Sequence, residues 1–303
     1  MRFFKSARRS TGLRGKGITV AAIAVCAGVL GLVPTASATP TGEYTPFTGC
    51  PVTNPTILFC TTSVSSSGLF TIGTKTVPLK NPVTLKGGLG TNPENPAEAV
   101  FLAPTDGNTL SKTAQPVPGG LLGITAPTWW PQFLQDLFNE EVINQGLSGV
   151  TATVELAKPA SSIKIDLGHL ANQEGTALGL PVKIKLSNAF LGSNCYVGSS
   201  SSPINLNFTT GTTSPPPPNT AITGSPGTLS ANPSGTIITL SGGRLVDNSF
   251  SASGANGCGG LFSFFVDPFV NSILGTPSAA GKNTAILEGK IQLAEAATVK
   301  ASE

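Results

Sequence analysis

The chain has 303 residues, and only 11% of them are charged, against about 25% in an ordinary soluble domain. With 36 Gly, 25 Pro and 39% apolar residues, it is neither a coiled coil nor a helical bundle, which need long runs of Ala, Glu, Lys and Leu, nor a charged disordered tail. What remains is a turn-rich β protein with a weakly charged surface.

Residues 1–38 read as a secretory signal peptide. Arg2, Lys5, Arg8, Arg9, Arg14 and Lys16 form a basic start, residues 17–33 an apolar run, and Ala36-Ser37-Ala38 a small-residue cleavage pattern. Cleavage is expected after Ala38. The apolar run is short for a hydrocarbon core of about 30 Å, so no transmembrane helix is expected in the mature chain. Arg8-Arg9 lacks the apolar residues that follow a twin-arginine pair, and Val25 before Cys26 does not fit lipidation. The segment holds six of the 18 Lys and Arg and none of the 15 acids, so the rest of the chain carries a net charge of −3. Scattered lysines without a basic cluster argue against nucleic acid as a partner.

Four cysteines remain, Cys50, Cys60, Cys195 and Cys258, and an even number in an exported chain points to disulfides. Of three possible pairings, the short segment Pro51 to Phe59 favours Cys50–Cys60, and Cys195–Cys258 then follows. A zinc site is disfavoured, because there is no C-x-x-C and only one histidine.

Beyond Cys60, short alternating runs begin with Phe70 and Ile72, then Val83 and Leu85. Thr105-Asp106-Gly107-Asn108-Thr109 resembles half of a calcium loop, but the remaining acids are missing and an Asp-Gly turn is expected. From Trp130 to Gln145 the period changes. Phe133, Leu134, Leu137, Phe138 and Val142 fall at helical spacing, with Pro131 in the first turn and Gly146 past the end. This predicts an amphipathic helix. Trp129 and Trp130 open it, either packing it onto a sheet or forming an aromatic platform for glycan, lipid or a membrane interface. Glu140 and Glu141 are neighbours on this helix and read as a solvated face.

Period-2 alternation then dominates: Val150 to Leu156, Ile163 to Leu167, Val182 to Leu186 and Ile204 to Phe208. His169, the only histidine, follows one of these runs. It is the only base a Ser–His–acid triad could use, and no G-x-S-x-G elbow accompanies it. A Ser/Pro-rich loop spans residues 211–219. A second, short helix is expected from Pro268 to Leu274, with Asp267 as cap and Gly275 as stop. Ala285 with Leu287, then Ile291 with Leu293, close the series. Gly119-Gly120-Leu121-Leu122 before the first helix is echoed by Gly259-Gly260-Leu261-Phe262 before the second.

The stretch from Asn194-Cys195-Tyr196-Val197-Gly198 through Pro203-Ile204-Asn205-Leu206-Asn207-Phe208-Thr209-Thr210-Gly211 to the four prolines resembles secreted actinobacterial proteins of unknown function. The resemblance covers about residues 186–218 and implies an exported envelope protein. It implies no activity, so no functional residue is transferred.

The expected fold is all-β, an antiparallel two-layer sandwich with one amphipathic helix and one short helix, forming a single secreted domain over residues 39–303. The expected function is non-enzymatic: a structural or binding protein, secreted or in the cell wall, with envelope glycan or lipid as partner and no cofactor or metal. The alternatives are a secreted hydrolase acting on glycans and a lipid-binding carrier. Two close carboxylates in a cleft would mark the hydrolase. An apolar cavity between the sheets, beneath the Trp129 to Gln145 segment, would mark the carrier.

Overall fold

Strand β8 (Leu178–Ser187) organises one of two antiparallel sheets. Leu178, Leu180, Val182, Ile184 and Leu186 are buried along it, the period-2 pattern of a strand with one face in a core. Each flank of β8 is split between two shorter strands. On one side lie β6 (Thr151–Leu156) and β7 (Lys164–Ile165); on the other lie β9 (Tyr196–Val197) and β10 (Ile204–Phe208). The sheet ends in β5 (Gln115–Pro116) and β13 (Ala255–Asn256). The computed structural model describes residues 39–92, 99–120, 127–137 and 149–303. The expected signal peptide and the second half of the helix expected to end at Gln145, with Phe138, Glu140, Glu141 and Val142, lie outside them.

The other sheet is built on long strands: β1 (Ile57–Ile72), β12 (Ile237–Asp247) and β14 (Thr284–Glu295). Its order is β11 (Thr228–Ala231), β12, β14, β1, β3 (Val83–Thr91), β4 (Ala99–Leu102), with β2 (Lys75–Pro78) hairpinned onto one end of β1. These lengths correct the expectation of uniformly short runs. Ala285, Leu287, Ile291 and Leu293 belong to one strand, and β12 has no counterpart among the expected elements. The two antiparallel sheets pack as a sandwich, and one large core runs between them, from Leu85 and Phe101 to Val270 and Leu293.

A smaller core closes one end. Phe47, Ile237, Ala294 and Val299 pack there around Cys50 and Cys60; Val299 lies in a short C-terminal helix, Ala296–Ala301. Thr41 bonds the Ser302 carbonyl through both its N–H and its hydroxyl, so the start and end of Ala38–Glu303 meet in one compact unit. Both expected disulfides are present, Cys50–Cys60 and Cys195–Cys258. They fit an oxidising extracellular environment. Among the described residues no helix is long and apolar enough to cross a membrane.

Three helical expectations need correction. The first helix, α1, spans Gln132–Leu137 among the described residues, and of its expected apolar stripe Phe133 and Leu137 are exposed and not packed in a core. Around His169 the chain does not extend the strand to Leu167. Asp166 caps a short helix, α2 (Leu167–Asn172), by accepting the His169 backbone N–H, and this side-chain bond outcompetes strand pairing. The second expected helix, α3, starts earlier, at Ser263, and runs to Leu274 with Pro268 inside it; Gly275 ends it in a left-handed conformation. Asp267 is not its cap. Its carboxylate accepts the N–H groups of Gly257 and Cys258.

Candidate functional site

A cavity of about 80 Å³ lies between the two sheets. Phe70, Ile72 and Val77 wall it from the first strands of one sheet, and Ala152, Val154, Ile184 and Leu186 from the other. These positions alternate along their strands, so pleating points them all into the sandwich. Helix α3 closes a third side with Val270, Ile273 and Leu274. The volume is space open to the centre of a water-sized sphere. One water needs about 10–15 Å³ of it, so the cavity has room for roughly five to eight water-sized groups.

The walls are almost entirely carbon, and among the described residues only Lys75 and Gln115 bring polar side chains to the lining. Gln115 is satisfied elsewhere: its Oε1 accepts the N–H groups of Lys80 and Asn81, and its Nε2 donates to the Asn81 carbonyl. Lys75 is half-buried at the hairpin end of β2 and is the only charged residue among the described ones of the lining. A cavity so lined is suited to hydrocarbon.

The structure places the sequence-predicted residues away from this cavity. Trp129 is 80% exposed, Trp130 is half-buried, and their rings meet edge to face with centroids 6.0 Å apart. Neither lines the cavity, and among the described residues the helix that borders it is α3. His169 sits on α2 with Nδ1 3.4 Å from Asp166 Oδ2 and 3.1 Å from the Thr176 carbonyl. Asp106 forms the expected turn. Its carboxylate takes Lys86 Nζ at 2.6 Å and the Asn108 N–H at 2.9 Å. Partial burial opposes its ionisation, but these partners outweigh that and hold the carboxyl below its ordinary value. Glu155 pairs with Lys183, and Glu288 with Arg244. Among the described residues no group of three metal-ligating side chains occurs.

The Gly119-Gly120 and Gly259-Gly260 echo is present in the backbone. Both pairs are left-handed, with φ of 78° and 55° in the first and 76° and 59° in the second. The first pair ends at the cavity lining with Gly120. The second leads through a short 3-10 turn into α3, whereas eleven residues, 121–131, lie between the first and α1. In both copies a strand follows the helix, beginning at Thr151 in the first and at Thr284 in the second.

A second concavity, on the outer face of the long-stranded sheet, is lined by Ser67, Ser225, Ser241, Arg244, Glu288 and Lys290 among others. Among the described residues that line it there is no aromatic side chain on which a sugar could stack. In comparisons with known proteins, no family model, no curated protein and no solved structure matches the chain.

Proposed function

We propose that this protein is an exported, non-enzymatic carrier that holds a small apolar or amphiphilic molecule between its two sheets. The observation that carries the reading is the cavity, whose walls are hydrocarbon on three sides. An ordinary interior is filled to crystal-like density, with few voids larger than a water molecule. A void of this size in a core costs stability unless something occupies it. The engaged carboxylates and the lone His169 supply no comparable support for hydrolysis. The paired cysteines support an envelope or extracellular setting for the carrier.

The test fills the cavity. Ala152 lies in its wall at 9% exposure, and Ala152→Phe places a ring in the free space. A fluorescent fatty acid should bind the parent and bind the variant at least about tenfold more weakly, a change of about 1.4 kcal/mol. The variant's thermal midpoint should stay close to the parent's, since the ring occupies existing space. Equal binding by both proteins would sink the reading. Mass spectrometry of lipids extracted from the purified parent should recover a bound apolar molecule that is reduced in the variant.

A further inference from the structure

The polarity of helix α3 is inverted. Two of its polar side chains, Asp267 and Asn271, face inward, while Ser272 is exposed. Asp267 accepts the N–H groups of Gly257 at 3.1 Å and Cys258 at 2.7 Å. Asn271 accepts the Ala255 N–H at 2.6 Å and the Thr276 hydroxyl at 2.7 Å, and donates to the Ala255 carbonyl at 3.1 Å. Around the start of the helix the exposed large side chains are apolar: Leu261 and Phe262, in the turn that leads into it, are 93% and 67% exposed, Phe264 70% and Phe265 72%, and Phe269 follows one turn on at 49%. The rings of Phe264 and Phe265 touch, with centroids 5.0 Å apart. A helix apolar on both sides is ordinarily buried in a core or a membrane. Here one side, with Val270, Ile273 and Leu274, is in the core, and the other faces water.

We infer that this outer face docks on a lipid bilayer and brings the cavity to the source of its cargo. The inference rests on the carrier reading for the route from bilayer to cavity, which the same helix borders from its inner side. Three observations select lipid as the occupant. First, between residues 248 and 281 the only charged residue is Asp267, and its carboxylate is turned into the protein. A protein partner is normally met by a polar rim, whereas an uncharged aromatic surface matches the headgroup–hydrocarbon boundary, where aromatic residues concentrate. Second, Leu261, Phe262, Phe264 and Phe265 are 67–93% exposed, a crest of side chains little covered by their neighbours. A self-complementary dimer patch would need grooves in the same surface to receive it, but the crest is flanked by Gly259, Gly260 and Ser263 and by the exposed Phe190, tied in by the bond from the Gly259 N–H to the Leu191 carbonyl. A fluid bilayer needs no matching grooves. Third, the crest is rigidly presented. The Cys195–Cys258 disulfide precedes it, and the Asp267 and Asn271 bonds fasten it from within, so little ordering remains to be done on docking.

Because the face carries no cation, docking must depend on apolar area and not on anionic lipid. The test is co-sedimentation of the exported protein with vesicles. The parent should bind phosphatidylcholine vesicles equally well with and without added phosphatidylglycerol, and from about 0.1 to 1 M salt, a range over which charge screening shortens from about 10 to 3 Å. The Phe264→Ser, Phe265→Ser double variant and the single variant Leu261→Ser should partition more weakly, the double at least about tenfold. These side chains are exposed, so the thermal midpoint should hold. Both variants should still bind the fluorescent fatty acid, while Ala152→Phe should lose the fatty acid and keep the vesicles. A parent that ignores vesicles, or variants that bind them as well as the parent, would overturn the inference. So would light scattering that shows a parental dimer dissociated by Phe265→Ser without vesicle binding, since the face would then belong to a second copy. Loss of vesicle binding in the crest variants, together with no fatty-acid binding by any protein, would leave the docking face standing and remove the carrier reading.

Discussion

Asp247 is 3% exposed at the end of β12, and both its carboxylate oxygens are used: one accepts the Asn207 N–H at 2.7 Å, the other the Ser249 N–H at 2.9 Å. Burial pushes its carboxyl above the ordinary 3.8, and the two N–H groups only partly oppose this. The folded protein therefore holds this proton more tightly than the unfolded chain. The stability it contributes is complete below the unfolded value and is lost as pH rises through the raised folded one. Asp247→Asn removes the titration and leaves one backbone N–H facing an amide donor, an unmade bond that costs about 1–3 kcal/mol. We expect the variant to be less stable than the parent in urea at acid pH, with the gap shrinking as pH rises toward neutrality. A gap that widens with pH would mean that the fold favours the charged carboxylate. The tight turn at Asp106 contains the opposite case, a carboxyl held low by Lys86, whose contribution is lost only as pH falls through its depressed value.

Two irregularities meet at one glycine of β14. The register of β1 against β14 shifts between Ser65 and Ser67, and that of β12 against β14 shifts between Ser241 and Gly243; Gly289 lies opposite Ser65 and Gly243. A Cβ on Gly289 would strike the Val64 carbonyl oxygen, so this strand can carry no side chain there without parting from β1. Gly289→Ala should lower stability by about 1–3 kcal/mol or more, read as a lower urea midpoint with an unchanged slope; an unchanged midpoint would show that the sheet gives way freely. The same bulges explain what was legible in the sequence. Strands β8 and β10 alternate strictly, so their apolar residues announced a sandwich. β1 is rich in Ser and Thr on both faces, and buries Thr61, Thr62 and Ser65, so half of it went unread. β12 contains Gly242-Gly243 in mid-strand and looks like a turn. In α3 Asp267 and Asn271, residue types that normally mark a solvent face, point inward, and Pro268 in the middle resembles a first-turn proline, which hides the true first turn.

At the scale of the molecule, pairing and fold class were legible because cysteine parity and strand period are local properties. The cavity was not, because its lining is drawn from Phe70 to Leu274 and exists only once both sheets and α3 have packed. The disulfides divide between the two cores: Cys50–Cys60 belongs to the small terminal one, and Cys195–Cys258 to the large one beneath α3. Their sequence separations are 10 and 63, which in a chain-entropy account correspond to roughly 3 and 4 kcal/mol. The total stability of a domain is only about 5–15 kcal/mol. Replacing either pair with alanine should therefore leave a folded, weakened protein, and replacing both should leave little margin. Sites without shared neighbours add within about 0.5 kcal/mol, so the two losses should be close to independent in urea. Their functional consequences should differ. Cys258 precedes the crest by a few residues and its N–H is held by Asp267, so loss of the Cys195–Cys258 bond should loosen the root of α3. Fatty-acid and vesicle binding should then weaken together. The Cys50–Cys60 variant, altered only in the terminal core, should bind both like the parent at temperatures where it is folded. Equal functional loss in both variants would show that α3 draws its position from global stability and not from its own disulfide.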